Sequence, residues 1–315
     1  MFTQFFALVF LMRFLLVVFA LVCACSAEYL FQSPHINRVN SREDVLWQAD
    51  LSERFLGWTH DELSNYFNAK VDNSGLVPMT KENMIGANDL PKNYDVRKAT
   101  GCGRWILDQG RCGSCWAFGA TKSVTDRFCQ ALNDTSFPIL SPQHLVSCDY
   151  EGNMGCNGGF PGLAHKYIEF LGVSTLDCYP YTSGTTQKSG SCHTKCHDGS
   201  SMKRYHLHKF QTHFYRHEED IMAALIKFGS AEVSFSVYDD FLSYSSGIYH
   251  HVSGPFRGGH AVTLIGYGEE NGQKYWTCAN SWGENWGEQG TFRILRGVNE
   301  CGMESNGAVG GLPKL

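Results

Sequence analysis

Between Ser114 and Leu132, apolar side chains recur at Ala117, Ala120, Val124 and Phe128, the spacing of one face of a helix. Pro142–Val146 and Gly162–Leu171 carry enough of the same pattern for two shorter helices, and Ile221–Phe228 for a fourth. Beyond that point the period changes. Val233, Phe235 and Val237 alternate with polar neighbours, and strand-like runs follow at His260–Tyr267, Gln273–Ala279 and Thr291–Leu295. Helices first and strands second predict an α+β fold in two halves, mainly helical over about 100–205 and mainly β over about 206–300. No internal repeat interrupts this order.

Upstream the character differs. Phe14–Cys25 is an apolar run preceded by Arg13 and followed by the small residues Ser26 and Ala27. This is the layout of a cleaved secretory signal over 1–27. Counting back through Arg13 to Phe5 reaches spanning length, so a retained anchor stays open; the expectation is a signal and no stable membrane insertion. Residues 28–89 are polar, contain no cysteine, and hold two helix-start patterns, Ser41 with Asp44 and Thr59 with Glu62. Asn73-Ser74-Gly75 and Gly86-Ala87-Asn88 read as turns. A boundary near Leu90 thus separates a removable segment from a cysteine-bearing body, 90–315, although a small helical domain over 28–89 has the same composition. The thirteen cysteines of the 315-residue chain then sit in an oxidising compartment. A net charge of -5 gives no basic field for nucleic acid. Asn133-Asp134-Thr135 is an N-glycosylation sequon at Asn133.

The chemistry concentrates in Gln109-Gly110-Arg111-Cys112-Gly113-Ser114-Cys115-Trp116. Cys115 falls at the first turn of the long predicted helix, where unpaired N–H groups and the dipole favour a thiolate. Gly258-Gly259-His260-Ala261 supplies an imidazole at the start of a strand, and Asn280 twenty residues later supplies an amide to hold its other nitrogen. Trp282 is placed to shield that bond. Nucleophile, base and orienter are all available. Two other readings remain: Cys112 and Cys115 as a redox pair, and Cys192–His197 as a zinc knuckle.

The Cys112–Trp116 run, with His260 and Asn280 downstream, resembles the papain and cathepsin signature. Cys156–Pro161, Phe235–Tyr238, Ala279–Gly283 and Ile294–Gly297 followed by Cys301-Gly302 extend the likeness to the cathepsin B group, in order from Leu90 to Pro313. That resemblance implies a papain-like two-domain fold, a helical half and a β-barrel-like half with the active-site cleft between them. It implies Cys115 as nucleophile, His260 as acid and base, Asn280 as orienter, and Gln109 with the Cys115 N–H as oxyanion hole. It places Gly113, Ser114, Gly158, Gly159, Phe160, Pro161, Gly259, Ala261, Trp282 and Asn306 on the substrate. It further implies disulfides Cys102–Cys129, Cys112–Cys156, Cys148–Cys192 and Cys178–Cys196, with Cys278 and Cys301 unpaired. Residues 28–89 become an inhibitory propeptide cut near Ala87–Leu90. Protein and peptide substrates, the chain's own propeptide and cystatin-type inhibitors are the expected partners of a monomer, with no cofactor and no metal, in a lysosome-like vacuole or secreted.

Two departures matter. Between Tyr181 and Cys192 only TSGTTQKSGS stands where cathepsin B carries its long occluding loop, with no histidine. The expectation is an open cleft and endopeptidase action, with a dipeptidyl carboxypeptidase as the alternative. Asn306 follows Cys301–Ser305 where cathepsin B has an acidic residue that accepts arginine at P2; a neutral amide lacks that charge. Apolar P2 residues are therefore expected. A disulfide-rich extracellular binding module is the non-enzymatic alternative. His250-His251 is read as a solvated loop doublet.

Overall fold

The computed structural model describes residues 33–84 and 90–315, so the Phe14–Cys25 run and the turn before Leu90 lie outside the described residues. Residues 33–84 supply a helix α1 over 33–40, strand β1 (Trp47–Ala49), helix α2 (His60–Tyr66) and strand β2 (Val77–Pro78). The body opens with β3 (Tyr94–Asp95) and α3 (Val96–Thr100), followed by the long α4 (Cys115–Leu132), α5 (Pro142–Cys148), α6 (Pro161–Phe170) and the short α7 (Ser183–Thr186). Then come β4 (Leu207–Tyr215), α8 (Glu218–Phe228), β5 (Ala231–Tyr238), β6 (Tyr244–Tyr249), β7 (Phe256–Glu270), β8 (Gln273–Ala279), β9 (Thr291–Leu295), α9 (Met303–Asn306) and β10 (Ala308–Pro313).

Helix α4 is the axis of the molecule. Ser114 precedes it, and Asn133 ends it in the left-handed region at φ 50°. Every residue from Cys115 to Cys129 is buried, because both halves pack on this helix. Its predicted apolar stripe, Ala117, Ala120, Val124 and Phe128, meets Leu145, Val146, Ala164 and Ile168 of α5 and α6. The polar flank bridges to the β half. Arg127 Nε donates to the Ser230 carbonyl at 2.6 Å and Nη1 to that of Gly311 at 3.2 Å, while Ser230 Oγ donates to Asp126 at 2.7 Å. Buried charges at these positions survive because each has such partners.

The strands form one sheet in the order β1-β6-β9-β8-β7-β5-β10-β4-β2, with β3 on β7. The expected barrel-like half is thus an open sheet: its twist carries the strands around the core without joining the two ends. Both ends of the path, β1 and β2, come from residues 33–84, which cap the exposed edges that an open sheet must protect. The same segment enters the core: Trp47, Phe55, Leu63, Tyr66, Phe67 and Met84 cluster with Phe235, Phe241, Trp282 and Phe292.

Thr59 and Glu62 form the expected capping box of α2. Ser41 and Asp44 do not. Residue 41 follows α1, and Asp44 instead pairs with Arg42, an arrangement that leaves no helix start there. The His250-His251 doublet is half-buried rather than fully solvated: His251 stacks on Tyr238 at 3.9 Å and lies 3.3 Å from Asp240, because Asp240 gathers the 250–253 loop through the Val252 and Ser253 N–H groups.

All four expected disulfides are present, and Cys115, Cys278 and Cys301 are free. Cys112 is joined to Cys156 rather than to Cys115, which removes the redox-pair reading. Cys192 and Cys196 belong to separate bridges and are lost as zinc thiolates. Alkylation in denaturant without reductant, read by peptide mass mapping, is expected to label Cys115, Cys278 and Cys301 and no other cysteine after Leu90. A bridged Cys278 would displace β8 from its place in the sheet.

Candidate active site

Cys115 begins α4, where the Ala261, Trp116 and Cys115 N–H groups act on the thiol in favour of its anion. The helix start thus supplies the donors expected of it, and β7 adds one more. His260 precedes Ala261 on β7, opposite Phe235 of β5. Its Nε2 lies 2.8 Å from Asn280 Oδ1, which also accepts the Ser281 N–H at 2.8 Å. An amide oxygen only accepts, so Nε2 carries the proton and Nδ1 holds a lone pair. That Nδ1 is buried and has no hydrogen-bond partner. Trp282 stacks on the imidazole at 5.0 Å and 28°, excluding water from the His260–Asn280 bond. Gln109 is fully buried; its Oε1 accepts from Ser281 Oγ at 2.5 Å and its Nε2 donates to the Cys112 carbonyl at 3.0 Å, leaving one N–H of the amide uncommitted.

A strand-like stretch of the 33–84 segment lies over this group. Ala69 N–H donates to the Gly259 carbonyl at 3.0 Å, Lys70 N–H to that of Gly159 at 2.9 Å, and Gly159 N–H to that of Asn68 at 3.2 Å. Ala69 packs with Cys115 and Ala261 in one apolar cluster. A Cβ on Gly158 or Gly259 would overlap the Asn68 or Ala69 carbonyl, so bare backbone on both walls permits the approach.

This cover reverses the expected ionisation. Burial pushes the Cys115 thiol up to about 12 against the lowering effect of the three N–H groups, and burial pushes His260 down to about 4. The expected thiolate is therefore a neutral thiol beside a neutral imidazole, and no hydrogen bond joins them among the described residues. Desolvation outweighs the helix terminus as long as Ala69 sits on the sulfur.

Residues 90–310 match the family model "Papain family cysteine protease". The chain belongs to the papain family of cysteine proteases. It is 40% identical over 283 residues to "Cathepsin B-like CP3" of Giardia intestinalis, spanning 88% of this chain and 91% of that protein. It is 35% identical over 316 residues to a cathepsin B-like cysteine proteinase of Schistosoma japonicum, spanning 89% and 90%. Among solved structures, procathepsin B S9 of Trypanosoma congolense superposes with a TM-score of 0.79 at 32% identity, over 89% of this chain and 96% of that one. These relatives are cathepsin B-like cysteine proteases, and the structural neighbour is a proform.

Within this papain-family fold the other expected substrate residues collect around the same cleft. Gly113 donates to the Cys156 carbonyl at 2.9 Å, and Ser114 Oγ lies 2.8 Å from Tyr181 OH, which donates to the Gln109 carbonyl. Phe160 caps the start of α6 beside Pro161. Asn306 ends α9, donates to the Ser234 carbonyl at 3.0 Å, and shares a small cavity with Pro161, Glu232, Ser234 and Val309, closed by Val71, Asp72 and Asn73. Sequence reasoning passed over Glu232, whose buried carboxyl is pushed well above its usual range by desolvation. It also passed over Arg54. That guanidinium donates to both Asp108 oxygens at 2.8 and 2.7 Å and to Tyr66 OH, the Trp282 carbonyl and the Gly110 carbonyl, each at 3.1 Å. A lone arginine in a polar stretch carries no signal of such a role.

Arg54→Ala should loosen the cover. Loss of charge-assisted hydrogen bonds of this kind is worth roughly 1–3 kcal/mol, so alkylation of Cys115 at pH 7 in the otherwise intact chain is expected to quicken by about tenfold or more. An unchanged rate would remove the clamp. His260 gives a pH effect of known sign. Held at about 4 rather than 6.5, it binds fewer protons folded than unfolded, so its contribution is present above 6.5 and lost as pH falls towards 4. The stability of Cys115→Ala relative to Cys115→Ala with His260→Gln is expected to drop between pH 7 and 4, by as much as ~3 kcal/mol. A constant difference across denaturation curves in that range would contradict the neutral ring.

Proposed function

We propose that this chain is the zymogen of a secreted or vacuolar cysteine endopeptidase, with a signal over 1–27 and an inhibitory propeptide over 28–89. The observation that carries the reading is the Asn68–Lys70 backbone held between Gly159 and Gly259, directly over Cys115. An extended polypeptide already occupies the groove in which a substrate would lie, and catalysis waits on its removal.

Once the cover leaves, water and substrate reach Cys115, and the helix-start donors favour the thiolate. His260 Nδ1 takes the thiol proton. The sulfur attacks the peptide carbonyl carbon, and the resulting oxyanion meets the Cys115 N–H and the free Gln109 amide N–H; one such donor is typically worth ~3 kcal/mol. His260 then gives its proton to the leaving nitrogen, the C–N bond breaks, and an acyl-enzyme remains. Water, deprotonated by His260 Nδ1, attacks the acyl carbon; the C–S bond breaks, the acid leaves, and His260 returns the proton to the sulfur. Asn280 keeps the ring in the tautomer that both transfers need.

Endopeptidase action is supported by the 182–191 stretch, which is tied down rather than free to roof the cleft. Thr182 and Ser183 donate to Gln143 Oε1, and the Gly184 carbonyl accepts from Arg111. Apolar P2 preference is supported by the neutral Asn306 in the cavity beside Pro161, and by the burial that disfavours a charge on Glu232 there. Asn133, exposed at the end of α4, is placed to carry a glycan.

Matured protein is expected to cleave one peptide equally well with a free or an amidated C-terminus, to prefer leucine or valine over arginine at P2, and to lose hydrolysis on Cys115→Ala while staying folded. Dependence on a free carboxylate would make it an exopeptidase. Hydrolysis surviving Cys115→Ala would end the reading altogether.

A further inference from the structure

Phe210 is 71% exposed and sits at φ 60°, where a bulky side chain is strained. The distortion is built, not incidental. In the pairing of β10 with β4, Gly311 faces Thr212 and Pro313 faces Leu207, so residues 208–211 bulge opposite the single residue 312. Buried Glu169 holds the bulge: one oxygen accepts the Phe210 N–H and the other Thr212 Oγ1, both at 2.6 Å. The phenyl ring is thereby delivered to Phe170 at 6.0 Å, edge to face, next to Leu171. Phe170 and Leu171 are themselves 46% and 49% exposed. Three large apolar side chains thus project together from the end of α6 and the bulge of β4.

Their surroundings are cationic. Arg204 donates to the Leu171 carbonyl at 3.1 Å. His206 backs onto Gly172 beside the Arg204 side chain, and its carbonyl accepts the Lys314 N–H at 2.9 Å. Lys209 adjoins Phe210 in the bulge and is exposed. None of Arg204, Lys209 and Lys314 belongs to an ion pair among the described residues. Glu169, which holds the bulge, is buried and spent on it.

We propose that this cluster is a docking surface for an anionic lipid bilayer. Projecting aromatic side chains ringed by free cations match an interface whose headgroups are negative and whose acyl boundary lies just beneath. A soluble polyanion would use the cations and leave the rings in water. An apolar partner would leave the cations unanswered. The surface belongs to α6 and β4, away from Cys115, and does not depend on the proposed specificity of the cleft.

The test is co-sedimentation of the full chain with vesicles of phosphatidylcholine alone and of phosphatidylcholine with phosphatidylserine. Binding is expected to the serine-containing vesicles, at least tenfold above the neutral ones, and to weaken with added salt. Phe210→Ser and, separately, Phe170→Ser are expected to cut that binding about tenfold while peptidase activity after maturation is unchanged. Phe210→Gly, which removes the strain, is expected to raise the unfolding midpoint. Equal binding to both vesicles, no binding, undiminished binding by both serine variants, or self-association abolished by Phe210→Ser without vesicle binding would each overturn the proposal.

Discussion

One contact governs the rest: an extended backbone gripped between bare glycine surfaces on two different halves of the molecule. Gly159 lies in the loop before α6 and Gly259 on β7, and the peptide at Asn68–Lys70 hydrogen-bonds to both. A side chain on Gly158, next to Gly159, or on Gly259 would hold the backbone off the sulfur. That close fit is what desolvates Cys115 and His260 and makes both neutral. The same two groups, opened to water beside the N–H donors of α4, face the opposite balance. Ionisation in this site is therefore set by what lies in the groove more than by the residues that line it.

The segment that fills the groove is also anchored beside it. Arg54 gathers Asp108, Tyr66 and the carbonyls of Gly110 and Trp282, so it touches the loop that carries Gln109 and the indole that shields His260. Phe55 meets Trp282 at 5.0 Å and Phe67 meets His260 at 5.7 Å. Strands β1 and β2 close the two edges of the sheet. Removing the segment thus uncovers the sulfur, bares two sheet edges and strips aromatic cover from the histidine in one event.

The elements that sequence pattern located were those whose period reports burial directly: α4 from its apolar stripe, and β8 and β9 to the residue. Cys115, His260 and Asn280 were legible because their residue types and flanking glycines are tied to one chemistry. What stayed hidden depends on partners distant in sequence. Arg54 acquires its role from Asp108, and Glu232 from Gly119 of α4 and His165 of α6, neither of which marks the residue in its own stretch. The thiolate expectation failed for the same reason: helix position is local, whereas desolvation by Ala69 is a tertiary fact.

The two halves meet across α4 largely through polar groups. Arg127 reaches the Ser230 and Gly311 carbonyls, and Asp126 accepts from Ser230. Apolar packing alone tolerates small sliding between layers, since its energy varies slowly with lateral position. Hydrogen bonds to buried charges do not, because a displacement of an ångström leaves a donor or acceptor unpaired. Cys115 rides on α4 and His260 on β7, so the spacing of nucleophile and base is inherited from this polar seam. A site whose two reacting groups come from different halves needs such a seam behind it, and here it runs along the helix that carries the sulfur.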